Sequence, residues 1–343
     1  MKALLLTSAG HFDYVDVPDP VPGPGDVLIR VRACGICGSD IHGMDGSSGR
    51  RIPPIVMGHE AGGEIAEVGR DVAAWHPGDR VTFDSTIYCG NCRYCAAGMV
   101  NLCDNRRVLG VSCADYRCDG AFAEYIVVPE RVLYRLPAEV SFVEAAMVEP
   151  LSVAAHAVSL GRVGPQTRAV VVGTGVIGLL LVQSLRAASC ERIIAVDVNA
   201  ERLSRALRLG ATTSIRSDTV DALEQLWHAT DGRGADVAFE AVGISPTVNL
   251  AIEGVRKGGT VVLVGNVAPE VAFPLQSVVT RQISLRGSTA SAGEYATCID
   301  WLARRRVDPG ELISAVAPLA EGPRWFDRLR GSQGDLLKVI LEP

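Results

Sequence analysis

Four thiols fall within fifteen residues as Cys89-x2-Cys92-x2-Cys95-x7-Cys103. At that spacing the sulfurs of one loop can close tetrahedrally around a single zinc ion. Such a site has no open coordination position, so it pins a loop that lacks a core of its own. Gly90 and Gly98 let the backbone wrap around the ion. An iron–sulfur cluster, which also uses four cysteines, and a group of free thiols are the alternatives. A second set is dispersed: Cys37, the pair His59-Glu60, and Glu149. One sulfur, one imidazole and carboxylates make a mixed donor set suited to a catalytic zinc with an exchangeable position. Taken singly, Cys37 also reads as a small buried hydrophobe, His59 as a turn residue and Glu149 as a helix-start carboxylate before Pro150.

A third set reads as a phosphate cradle, or more plainly as glycines that build a tight turn between strand and helix. Gly173-Thr174-Gly175-Val176-Ile177-Gly178 is a G-x-G-x-x-G between an apolar strand, Ala169–Val172, and a helix, Val176–Ala188. The first glycine permits the tight turn, the second lets backbone approach a pyrophosphate, and the third lets helix pack on strand. The N–H groups and positive dipole end of the helix then face the phosphates. Asp197 ends the next strand, nineteen residues after Gly178, where a carboxylate accepts the ribose hydroxyls and repels a 2′-phosphate. NAD is therefore expected over NADP, although Arg202, five residues on, could pair with a phosphate.

Two kinds of element must position these groups. Up to about residue 150 the chain reads as short strands with Gly/Pro punctuation: Val27–Ala33 after Pro22-Gly23-Pro24-Gly25-Asp26, then Glu64–Val68, Arg80–Phe83 and Phe122–Val128. That pattern predicts an all-β, barrel-like unit. Beyond it, strands Ala169–Val172, Arg192–Val196, Ala235–Ala241 and Thr260–Val264 alternate with helices Val176–Ala188, Ala200–Leu209 and Thr247–Val255, which predicts a doubly wound parallel sheet. After Gly287 the alternation stops, and Leu337–Leu341 reads as a closing strand.

With 343 residues, 48% hydrophobic and 21% charged, the chain can bury two cores. A net charge of −6 and an isoelectric point near 5.6, without a basic run, exclude nucleic acid and anionic membranes as expected partners. The run Ala3–Leu6 is too short for a signal-peptide core, and Ala169–Val182 is too short and interrupted to span a bilayer, so a soluble cytoplasmic protein is expected.

Cys34-Gly35-Ile36-Cys37-Gly38-Ser39-Asp40-Ile41-His42, followed by Gly58-His59-Glu60-Ala61-Gly62-Gly63, resembles the zinc signature of medium-chain alcohol and polyol dehydrogenases. The four-cysteine segment is similar to their structural zinc loop, and Glu149-Pro150-Leu151-Ser152-Val153 resembles the segment that carries a glutamate to the metal in sorbitol and threonine dehydrogenases. The resemblance covers essentially the whole chain. It implies α/β plus β architecture: a GroES-like β-barrel catalytic domain over 1–149 with a structural zinc lobe at about 88–104, a Rossmann NAD-binding domain over 150–287, and a segment 288–343 returning to the catalytic domain. It implies two zinc ions per chain, NAD, and a homotetramer or homodimer.

By position, the resemblance makes Cys37 and His59 catalytic-zinc ligands, Glu60 a ligand as in sorbitol-dehydrogenase-like members, and Glu149 a ligand or the holder of a bound water. Asp40 would orient His59. Val264-Gly265-Asn266 would lie along the nicotinamide, and a proton would leave from Ser39 through the nicotinamide ribose to His42. Zinc would act as a Lewis acid on an alcohol, whose hydride passes to the nicotinamide. The substrate stays open. Gly43 follows His42 where sorbitol dehydrogenases carry an aromatic, and Ser288-Thr289-Ala290-Ser291 lacks their arginine. A polyol, a sugar alcohol or its phosphate, an inositol-like ring and threonine all fit, the last as in L-threonine 3-dehydrogenase. Arg50-Arg51 reads either as two solvated arginines or as a grip on a substrate phosphate. A non-catalytic NAD- and zinc-binding protein is the reading of another class.

Overall fold

A computed structural model describes residues 1–331 and 336–343. The chain divides into two compact units: residues 1–149, 295–303 and 312–343 in the first, and 150–294 and 304–311 in the second.

The core of the first unit is a mainly antiparallel sheet. Its order runs Leu133–Arg135, Arg80–Phe83, Glu60–Val68, Asp26–Gly35, Lys338–Glu342, Ile313–Pro318, with Tyr125–Pro129 also paired to Asp26–Gly35. Asp26–Gly35 organises it because Val27, Ile29, Val31 and Ala33 alternate inward while Arg30 and Arg32 face out. The closing strand Lys338–Glu342 runs antiparallel to it, with Ile340 opposite Gly35 and Leu341 opposite Cys34. The end of the chain thus completes the sheet on which the zinc-signature residues sit. A smaller sheet of His11–Asp16, Lys2–Ser8 and Ile55–Val56 packs its apolar residues into the same core.

The second unit holds a six-stranded, all-parallel sheet in the order Thr213–Arg216, Arg192–Asp197, Arg168–Val172, Ala235–Glu240, Val255–Leu263, Ser284–Gly287. Ala169–Val172 is buried on both faces, as expected of a central parallel strand covered by helices. Strand order reverses between Arg168–Val172 and Ala235–Glu240, and ligands of open parallel sheets bind at such a switch point.

The chain leaves this unit later than the end of the strand–helix rhythm predicts, after Glu294 rather than Gly287, and re-enters it over 304–311. Side chains hold both stretches. Glu294 Oε1 lies 2.8 Å from His156 Nδ1, and Asp308 N donates to Gln183 Oε1 at 2.7 Å.

Candidate active site

Cys37 caps the short helix Gly38–Gly43, which follows directly on the central strand Asp26–Gly35. Its backbone N–H donates to Asp40 Oδ2 at 3.1 Å, so the carboxylate closes the helix start. His59 and Glu60 stand where the strand Glu60–Val68 begins, with Glu60 registered opposite Gly35. That register brings Cys37, His59 and Glu60 together, with one ligand atom from each lying within 4.8 Å of the others.

Asp40 Oδ1 stands 3.5 Å from His59 Nδ1, and Cys37 is close enough to act on the charge of the imidazole. Burial works against the imidazolium, yet Asp40 and Cys37 beside it push the His59 pKa well above the usual histidine range. Burial also works against the Asp40 carboxylate, but His59 and Arg51 hold its pKa at about 2.

Arg51 departs from the solvated reading of the arginine pair, which Arg50 keeps. It is 5% exposed and donates from Nη2 to Asp40 Oδ1 at 3.1 Å, while its buried Nε has no hydrogen-bond partner. Arg50 is exposed.

Glu60 is fully buried and ion-paired. Lys338 Nζ donates to its Oε2 at 2.6 Å and its Oε1 at 2.9 Å, and also to the Ile36 carbonyl at 3.0 Å. Glu149, at the start of the helix Val148–Gly161, lies outside the three-residue cluster and accepts from Ser85 Oγ at 3.3 Å. Burial pushes its carboxyl up to about 7, with Glu60 adding to the rise and His59 opposing it. Ser39 and His42 are exposed on the helix Gly38–Gly43.

The four cysteines of the lobe also converge, with their sulfurs within 4.8 Å of one another. Cys89 N and Asn105 N both point at Cys103 Sγ, at 3.2 and 3.4 Å. Backbone N–H groups, that of Asn91 foremost, draw Cys89 down to about 6, whereas burial and the neighbouring thiols push Cys95 up to about 12. Four thiolates this close repel one another unless a cation sits among them, so the donor set fits a structural zinc. The Cys37–His59–Glu60 set, with one sulfur, one imidazole and one carboxylate, fits a second zinc of the catalytic kind.

In the second unit, Gly173 adopts φ +91, the left-handed turn that favours glycine. A Cβ on Gly178 would run into the Gly173 carbonyl oxygen, whereas a Cβ on Gly175 would meet no atom of the chain. Gly178 is thus required by packing, and Gly175 faces open space at the N-terminus of the helix Val176–Ala187, where a pyrophosphate would approach. Val176 and Ile177 form the first turn of that helix.

Asp197 is 8% exposed. Its Oδ2 accepts from Thr174 N and from Thr174 Oγ1 at 2.9 Å, and its Oδ1 from Asn199 N at 2.9 Å. The carboxylate therefore ties the glycine turn to the end of the neighbouring strand. Arg202 lies half-buried in the first turn of the helix Ala200–Arg208. Val264, Gly265 and Asn266 follow the strand Val255–Leu263, with Val264 N and Gly265 N both bonded to the Glu240 carbonyl at 2.8 and 2.9 Å.

Sequence reasoning missed Lys338, Ser85, Thr174 and the role of Arg51. Lys338 carried a signal: a lone lysine inside Leu337–Leu341, an otherwise apolar strand, needs a buried partner. Ser85 and Thr174 carried none.

Residues 23–138 match the family described as alcohol dehydrogenase GroES-like domain, and residues 176–304 the family described as zinc-binding dehydrogenase. The chain is 35% identical to the sorbitol dehydrogenase of Halalkalibacterium halodurans over 100% of its own length and 99% of that protein's. A Sinorhizobium meliloti structure with NADP bound superposes at TM-score 0.92, with 33% identity over 100% of this chain and 99% of the other. Galactitol-1-phosphate dehydrogenase from Escherichia coli superposes at TM-score 0.92, with 26% identity over 100% of each chain. The chain belongs to the zinc-dependent medium-chain dehydrogenase/reductase family. It is an alcohol-oxidising or carbonyl-reducing enzyme that uses zinc and a nicotinamide cofactor. No helix among the described residues is long and apolar enough to cross a membrane.

Proposed function

We propose that the protein interconverts a polyol, sugar alcohol or sugar-alcohol phosphate and the corresponding carbonyl compound, with NAD as hydride carrier. The convergence of Cys37, His59 and Glu60 within 4.8 Å carries this reading. The sorbitol dehydrogenase and galactitol-1-phosphate dehydrogenase relatives support the substrate class.

Cys37, His59 and Glu60 would hold the catalytic zinc, which when bound lowers the pKa of an alcohol and polarises a carbonyl. Lys338 bonds both Glu60 oxygens, and each oxygen keeps a further lone pair with which it could face a metal. Glu149, with its carboxyl near 7, can hold or release a proton beside the set. Asp40 orients His59. Ser39 and His42 would pass the substrate proton to solvent, for which an exposed imidazole is well suited. Cys89, Cys92, Cys95 and Cys103 would hold the structural zinc.

Gly173, Gly175, Val176, Ile177 and Gly178 would cradle the pyrophosphate, and Val264, Gly265 and Asn266 would line the nicotinamide. The Asp197 carboxylate supports NAD over NADP, because a 2′-phosphate beside it would be repelled. Exposed Val267, Phe273, Leu275 and Val279, in and before the helix leading to the edge strand Ser284–Gly287, support a homo-oligomer.

The test is absorbance at 340 nm with NAD and NADP against a panel of alcohols, polyols, sugar-alcohol phosphates and threonine. Turnover of a polyol with NAD, abolished in Cys37→Ser, is the expected result. Preference for threonine would favour the threonine-dehydrogenase reading. No turnover in a protein that binds NAD and two zinc ions would favour a non-catalytic one.

A further inference from the structure

We propose that Arg51 is a positioning residue for the catalytic metal set, acting through Asp40. The inference rests on the reading of Cys37 and His59 as metal ligands.

One carboxylate serves three groups. Asp40 Oδ2 takes the Cys37 N–H at 3.1 Å, while Oδ1 takes Arg51 Nη2 at 3.1 Å and stands 3.5 Å from His59 Nδ1. Asp40 is fully buried, so water supplies none of this. Held only by a backbone N–H and an imidazole, the carboxylate could swing about its last torsion and carry the histidine ring with it.

Arg51 removes that freedom because it is itself fixed. Ile52 N donates to the Ser112 carbonyl at 3.0 Å and Ser112 N to the Arg50 carbonyl at 3.2 Å, which anchors the backbone on both sides. A Cβ on Gly43 would come within 2.9 Å of Arg51 Cγ, so the stem packs tightly against that helix end. Nη1 is held by the Arg50 carbonyl at 3.1 Å. A planar guanidinium bonded through Nη1 and Nη2 fixes Oδ1, and Oδ1 at 3.5 Å is the group against which the His59 ring is set.

A purely structural arginine would alter stability and leave the metal site unchanged. The experiment measures zinc release from each site of the full-length protein by chelator competition, together with the visible spectrum after cobalt replaces the exchangeable zinc. In Arg51→Met the catalytic-site metal is expected to bind about tenfold or more weaker, as for other partners of metal-bound histidines. The four-cysteine zinc should hold as in the parent, and the cobalt bands should shift. Arg51→Lys, with the charge but not the planar fork, should fall between. An Arg51→Met protein with parental affinity at both sites and an unchanged cobalt spectrum would overturn the inference. Should Arg51→Met not fold, Arg51→Gln, a polar side chain whose amide nitrogen ends where the arginine Nε lies, two bonds short of Nη2, is read by the same criteria. Cys37→Ser runs alongside: if it retains two zinc ions, the ligand reading itself fails. If it loses one while Arg51→Met behaves as the parent, only the role of Arg51 falls.

Discussion

Lys338 Nζ lies 2.6 Å from Glu60 Oε2, and both side chains are almost wholly buried. The pair joins the closing strand to the start of the strand that carries Glu60, a member of the metal set. Removing only the lysine leaves a carboxylate buried without compensation. Lys338→Met should cost about 3–5 kcal/mol in urea unfolding of the metal-free protein. Lys338→Arg, which keeps the charge, should recover most of it. An unchanged midpoint in Lys338→Met would mean that the pair adds nothing to stability.

The two sulfur-containing sites should separate by phenotype. Cys37→Ser should lower the zinc content from two ions per chain to one and abolish turnover while leaving thermal stability near that of the parent. Cys92→Ser should also lose one zinc, but with a melting temperature several degrees lower, because that ion organises a lobe with little core of its own. Elemental analysis paired with calorimetry distinguishes the two.

Asp197 sets the cofactor expectation. Its carboxylate binds Thr174 and Asn199 and would disfavour a 2′-phosphate. Asp197→Ala should reduce kcat/KM with NAD by roughly tenfold or more, the loss expected when charge-assisted hydrogen bonds go. NADP should lose less, so the ratio of the two narrows. An equal loss with both cofactors would assign Asp197 to holding the glycine turn alone.

Glu149 gives a pH signature. Burial raises its carboxyl from 4.5 to about 7, so in the metal-free protein the folded state binds a proton that the unfolded state has already released between those values. Stability contributed by this group is full below pH 4.5, declines as pH rises, and is gone above about 7. Glu149→Gln, which cannot ionise, should therefore be more stable than the parent at pH 8 by roughly 1–3 kcal/mol and indistinguishable from it near pH 4. Chemical unfolding at the two pH values is the measurement. An identical difference at both would assign the change to packing.

The features readable from the chain were those whose geometry closes within a few residues. The Cys89–Cys103 spacing and the turn from Gly173 to Gly178 are each built by one local stretch of backbone. The strands Asp26–Gly35 and Arg168–Val172 announce themselves by an alternating or continuous apolar pattern. Thr213–Arg216, Ser284–Gly287 and Ile313–Pro318 escaped because they are edge strands, half exposed and with too few apolar side chains to stand out.

The metal set is different. Its donors lie on separate strands and turns, and their meeting depends on the register of Glu60 opposite Gly35. Lys338 reaches Glu60 across 278 residues, and Arg51 reaches Asp40 from a loop whose composition reads as surface. A motif names which atoms are chemically able to bind. Which charges are buried together, and which are already spent on one another, depends on how distant strands pair and pack, and no local pattern of residues encodes that.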